Sequence, residues 1–135
     1  MDDATRRLVR ERADFACEYC RIPQAATPFI AFHIEHIIAR QHLDEDKHDP
    51  GCLALACDRC NAFKGPNLAS IDPETGEMIR LFHPRFDEWG DHFKSLFGAV
   101  QGLTPVGRAT ARLLNMNHQR RVELRYLWLR ETEDI

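Results

Sequence analysis

Two Cys-x-x-Cys turns, Cys17-Glu18-Tyr19-Cys20 and Cys57-Asp58-Arg59-Cys60, constrain this chain more than any other feature. Each short turn curls round a small ion and aims two thiolates at one point. Together they complete a tetrahedral zinc shell on Cys17, Cys20, Cys57 and Cys60. Four thiolates close that shell, so the ion is a structural staple with no open position for water or substrate. Cys52, the odd cysteine, is left as a free thiol. The 36 residues between the pairs exceed the span of an ordinary zinc ribbon, which points to a functional insert.

A chain of 135 residues fits one compact domain. No apolar run is long enough to span a bilayer, so no membrane role is expected. The acidic start Met1-Asp2-Asp3 does not read as a secretory signal. A cytoplasmic location follows, and a reducing cytosol favours metal-bound over disulfide-bonded cysteines. The formal net charge of -3 is not that of a chain held to nucleic acid by charge alone. Charge is uneven, however. Six arginines and one acid, Glu123, lie between Arg108 and Arg130, whereas Asp44–Asp49 holds four acids in six residues.

Local patterns predict an α+β chain. A basic helix runs from about Asp3 to Ala13, with Leu8, Val9 and Ala13 inward. Phe29 to Ile38 is rich in β-branched and aromatic residues and reads as strand, and Leu53 to Ala56 as a second. A helix begins near Cys60 and stops at Gly65-Pro66. The turn Asp72-Pro73-Glu74-Thr75-Gly76 predicts a hairpin between Ser70-Ile71 and Met78–Phe82. Trp89, Phe93, Leu96 and Phe97 recur at helical spacing. Thr104-Pro105 opens another helix as N-cap and first-turn proline, and a last helix covers about Asn117 to Glu131.

The insert between the cysteine pairs carries Glu35-His36. A carboxylate can hold a hard divalent ion through oxygen, and an imidazole titrating near neutrality can take a proton from water. Neighbours in a regular strand point to opposite faces, so serving one site requires a strand end. His33 shares the strand face of Glu35. His42 and His48 fall in or near the polar loop, and His83 can approach from the following hairpin. His92 and His118 read as surface residues.

Taken together, Ile34–Arg40 followed by Leu53–Gly65 resembles the HNH endonuclease family in its zinc-knuckle form, over residues 17–65. The segment from Leu81-Phe82-His83-Pro84-Arg85 through Gly107-Arg108-Ala109-Thr110 is similar to the extension of one bacterial subgroup. The resemblance implies a ββα-metal core stapled by the four-cysteine zinc site, at about 15–66. A β-hairpin and a helical extension at about 84–131 complete one domain over 1–135. It also implies Glu35 and Asn61 as protein ligands of a catalytic Mg²⁺ or Mn²⁺, His36 as general base, and DNA as substrate. Arg40 and Lys64 would meet phosphate. Glu35 stands where the family more often has aspartate, Ala39 where proline is common, and Cys52 where the middle asparagine of the motif falls.

Arg108 and Arg112 lie four residues apart on one helix face, and Arg121 and Arg125 repeat the spacing on the last helix. With Val122, Leu124, Leu127, Trp128 and Leu129 packed inward, these four arginines would face outward and grip the DNA backbone. A rival reading is a non-catalytic zinc module that binds nucleic acid or protein. Cys52 favours the rival, and the set Glu35, His36, Asn61 and Lys64 favours the enzyme.

Overall fold

Asp2 starts the first helix because its carboxylate accepts the Thr5 N–H at 2.7 Å, which satisfies one of the orphan donors of the first turn. In the computed structural model, which describes residues 1–43 and 48–132, this helix α1 spans Asp3–Arg12. Most of the expected acidic loop, 44–47, lies outside the described residues. The chain divides into two compact units, one formed by Met1–Asn67 with His83–Phe86 and the other by Leu68–Phe82 with Asp87–Ile135.

In the first unit, α1 turns Val9 and Ala13 into the core, while Leu8 remains 47% exposed. The strand β1 (His33–His36) pairs antiparallel with β2 (Leu53–Ala56), Glu35 opposite Ala54 and His36 opposite Leu53. β1 is shorter than the apolar run from Phe29 to Ile38 suggests. Phe29 and Ile30 lie exposed in a turn held by the Gln24 side chain, which donates to Thr27 O and Ile30 O. All four β2 residues are buried, as their continuous apolar run requires. Helix α2 (Asp58–Lys64) follows at once, capped by Cys57 and ended by Gly65, so the order is strand, strand, helix. Arg12 fastens α1 to this core by donating to Pro50 O at 2.9 Å and Leu53 O at 2.8 Å.

The second unit holds the hairpin β3 (Ala69–Ile71) and β4 (Met78–Arg80), as the turn residues predict. The helix expected over Trp89–Phe97 is a single turn, α3 (Trp89–His92), followed by a second hairpin of β5 (Phe93–Leu96) and β6 (Ala99–Gly102). Only two residues join these strands. Phe97 and Gly98 both have positive φ, as the tight hairpin turn that matches strand twist requires. That geometry overrides the helical spacing of the aromatic residues.

Helix α4 (Pro105–Leu113) begins at the expected Thr104 cap, whose hydroxyl accepts Gly107 N–H at 3.1 Å. It lies against β3, β4 and β6. Any side chain at Gly107 would collide with the His92 carbonyl, so glycine sets how closely α4 approaches that turn. Phe82, Phe93, Val100, Ala109, Leu114 and Met116 form the buried core of this unit. Helix α5 (Gln119–Thr132) closes it. Among the described residues, no helix is long and apolar enough to cross a membrane.

Candidate active site and metal centre

The two cysteine turns meet. Cys17 and Cys20 sit in the loop after α1, while Cys57 caps α2 and Cys60 lies in its first turn. All four are buried, and their Sγ atoms lie within 4.8 Å of one another. Cys20 Sγ and Cys57 Sγ are 3.8 Å apart. A tetrahedral ion with Zn–S bonds of about 2.3 Å has S–S edges of about 3.8 Å, so the donor set fits zinc. Backbone N–H groups support the sulfurs, Cys20 N–H donating to Cys17 Sγ at 3.5 Å and Cys60 N–H to Cys57 Sγ at 3.4 Å. Burial pushes the Cys17 and Cys60 thiols well above their ordinary range, so a bound cation is what favours four thiolates here.

Tyr19, inside the first turn, is fully buried. Its hydroxyl donates to Glu35 Oε1. Burial raises the phenol well above its ordinary range, and the Glu35 charge adds to this, so Tyr19 stays a neutral donor. Glu18 is also buried. Its Oε2 accepts Leu55 N–H at 2.8 Å, while Oε1 pairs with Arg85. The metal loop is thereby tied to β2 and to the 83–86 turn. Burial, then the nearby Arg12, lowers the Arg85 guanidinium to about 10.

Glu35 faces α2, and its side chain is 9% exposed against 2% for Lys64. Lys64 Nζ donates to Glu35 Oε2 at 2.9 Å, to Ile37 O at 2.8 Å and to His36 O at 3.4 Å. Burial pushes the Glu35 carboxyl up, opposed by the Lys64 cation and the Tyr19 hydrogen bond. β1 ends at His36, and Ile37 N–H donates onward to Cys52 O at 2.9 Å. The His36 ring lies 5.5 Å from that of His48, tilted by 55°. Asn61 is half-buried on α2, one residue beyond Cys60. Cys52 is half-buried and outside the four-sulfur cluster.

Several predicted site residues have internal partners. Lys64 is buried, with its ammonium held by Glu35 and two carbonyls rather than turned to solvent. Arg108 pairs with Asp72 and Glu74 in the second unit. Arg121 donates to Leu114 O and Asn115 O, and the buried Arg125 to Gly98 O and Met116 O. The outward face expected of these arginines therefore fails for three of four, because backbone carbonyls and a buried carboxylate compete for them. Arg112 and Arg40 are exposed. Leu124 and Leu127, expected inward, are 37% and 53% exposed. His92 is half-buried rather than superficial, bonded through Nδ1 to the Thr104 hydroxyl at 2.6 Å. His33 pairs with Asp58 at 3.4 Å. His83 stacks on Phe86 with ring centroids 4.1 Å apart.

Residues 17–66 match the family model described as HNH endonuclease, and this matched segment is a mixed helix-and-strand core that holds the four-cysteine cluster. Neither curated proteins nor solved structures gave a match. The strand–strand–helix run and the cysteine cluster both fall within the matched residues. Tyr19, Glu18 and Arg85 were not picked out as site residues from sequence. A tyrosine between two ligand cysteines carries no pattern of its own, and only its burial against Glu35 reveals it.

Proposed function

We propose that this protein is a metal-dependent endonuclease that hydrolyses DNA phosphodiester bonds. The observation that carries the reading is the ionic pair of buried Lys64 with Glu35, whose side chain keeps 9% exposure, next to the strand end that bears His36 and within the segment that matches the HNH endonuclease. Burying such a pair is costly unless it is fully bonded, and perturbed carboxylates of this kind cluster at functional sites.

In this reading Glu35 and Asn61 hold one Mg²⁺ or Mn²⁺. Each Glu35 oxygen still has a lone pair beyond those given to Tyr19 and Lys64, and hard oxygen donors suit these ions. When bound, the ion stabilises the charge that develops on the leaving oxygen. His36 takes the proton from the attacking water as general base. Lys64 keeps Glu35 compensated and holds the carbonyls of His36 and Ile37, which restrains the backbone carrying the base. Exposed Arg40 and Arg112 make backbone phosphate contacts. A four-thiolate centre suits the reducing cytoplasm.

Incubating purified protein with plasmid, with and without Mg²⁺ or Mn²⁺, tests the proposal, with cleavage expected only when the ion is added. The rival, a non-catalytic zinc module that binds nucleic acid or protein, draws on the internal commitment of both Glu35 oxygens. DNA binding with no cleavage under either ion would favour it.

A further inference from the structure

The zinc loop and the active-site strand share one buried side chain. Tyr19 lies between two zinc ligands in sequence, is fully closed to solvent, and donates its hydroxyl to Glu35 Oε1. Lys64 holds the other oxygen, Oε2, at 2.9 Å and reaches Ile37 O at 2.8 Å. Glu35 is thus gripped at both oxygens by side chains from two different elements, the Cys17–Cys20 loop and the last turn of α2. The same two elements carry all four cysteines of the metal centre, because Cys57 caps α2 and Cys60 lies within it. A carboxylate on a free side chain samples several rotamers, and each oxygen fixed by a directed hydrogen bond removes that freedom.

We infer that Tyr19 and Lys64 are positioning residues that clamp Glu35 for the divalent ion of the cleavage site, and that Tyr19 makes the geometry of that site depend on the zinc loop. The inference rests on the reading of Glu35 as a ligand of the catalytic ion. Neither clamp residue touches the reacting atoms in this scheme. Tyr19 aims one oxygen of Glu35, and Lys64 aims the other while supplying the compensating charge. Outer-shell partners of a metal ligand are commonly worth about ten- to a hundredfold in ion affinity or activity.

Tyr19→Phe deletes a single hydroxyl and keeps the buried ring, so it is the cleanest test. The zinc-loaded variant should keep one zinc per chain and its melting temperature within a few degrees of wild type. Its affinity for Mn²⁺, read by titration calorimetry or the Mn²⁺ electron-spin signal, should fall about tenfold to a hundredfold. Its kcat on plasmid should fall by a similar factor with KM for DNA unchanged. Backbone amide resonances of Glu35, His36 and Ile37 should shift while those of the four cysteines remain in place. Lys64→Met, matched in length, should also weaken Mn²⁺, and Lys64→Arg should recover part of the loss. If the Met variant does not fold, the Tyr19→Phe titration decides the matter alone. A wild-type protein that binds Mn²⁺ and cuts DNA, beside a Tyr19→Phe variant that does both equally well, would overturn the clamp and leave the proposed function standing. A wild-type protein that binds no Mn²⁺ overturns the site reading and the clamp together.

Discussion

Arg108 holds Asp72 through two parallel hydrogen bonds, Nε to Oδ1 at 3.0 Å and Nη2 to Oδ2 at 2.8 Å, with Asp72 closed to solvent at the start of the β3–β4 turn. Asp72 also orders that turn, since Oδ1 accepts Glu74 N–H at 2.9 Å and its carbonyl accepts Gly76 N–H at 2.8 Å. One carboxylate therefore joins the first hairpin of the second unit to α4.

This pairing has a pH signature. The hydrogen bond from Arg108, helped by those of the turn, lowers Asp72 to about 2 from an ordinary 3.8. A group whose pKa is depressed on folding contributes stability that is full above its unfolded pKa and lost as pH falls through the folded one. The second unit should therefore lose stability between about pH 4 and pH 2. Arg108→Gln should lower the melting temperature by several degrees at pH 7 and flatten the dependence in that acid window. Trp89 and Trp128 both lie in this unit, so their fluorescence reports its unfolding. An acid slope identical in wild type and variant would show that the pair does not control it.

The metal centre predicts one zinc per chain in protein purified without added metal. Cys57→Ser should remove both the ion and the fold of the first unit, because binding free energy is folding free energy in small sites. Cys52→Asn should keep the ion, since Cys52 lies outside the sulfur cluster. Elemental analysis of both variants checks this, and zinc loss from the Cys52 variant would contradict the ligand assignment.

Much of this architecture was legible because it rests on short-range chemistry. Paired cysteines, the Thr104-Pro105 helix start and the Asp72–Gly76 turn each work through atoms a few residues apart. The misses have a different origin. Phe93, Leu96 and Phe97 satisfy helical spacing, yet Phe97-Gly98 at positive φ makes a two-residue hairpin turn, a choice set by backbone conformation rather than periodicity. Lys64 and Arg125 read as solvent-facing cations because charge is ordinarily kept in water. Their burial depends on Glu35, 29 residues from Lys64, and on the carbonyls of Gly98 and Met116, 27 and 9 residues from Arg125, partners that no local pattern announces. The site residues Glu35, His36 and Asn61 were named from the family motif, whereas the clamp on Glu35 required the fold.

The catalytic assignment separates chemistry from stability when the right variants are compared. His36→Ala should cut the cleavage rate about a hundredfold to ten-thousandfold, as loss of a general base does, with zinc content and DNA affinity nearly unchanged. Glu35→Ala is a poorer probe, because it leaves the Lys64 ammonium buried without its anion. Such a break costs about 3–5 kcal/mol, so this variant should fail by unfolding as well as by chemistry. Glu35→Gln keeps an oxygen acceptor for Lys64 but also removes its anion, so its cleavage rate is read beside its melting temperature. Rapid cleavage by folded, zinc-loaded His36→Ala would remove that histidine from the mechanism.

The arginines of the second unit should divide sharply by partner. Arg125 satisfies two backbone carbonyls, Gly98 O and Met116 O, from a buried position. Arg125→Ala should cost about 1–3 kcal/mol for each buried carbonyl left unpaired, read as a lower melting temperature. It should leave the salt dependence of DNA binding alone, because a guanidinium bonded to those carbonyls is not available to phosphate. Arg112 is exposed on α4, and Arg112→Gln should behave in the opposite way. Its stability should stay within about 0.5 kcal/mol of wild type, as for most surface changes. The slope of log affinity against log salt should fall by about 0.9, the share of one phosphate contact. Binding isotherms at several salt concentrations, set beside thermal melts, distinguish the two. An Arg112→Gln variant with an unchanged slope would move the phosphate contacts away from α4, with the exposed Arg6 and Arg7 of α1 as the next positions to test.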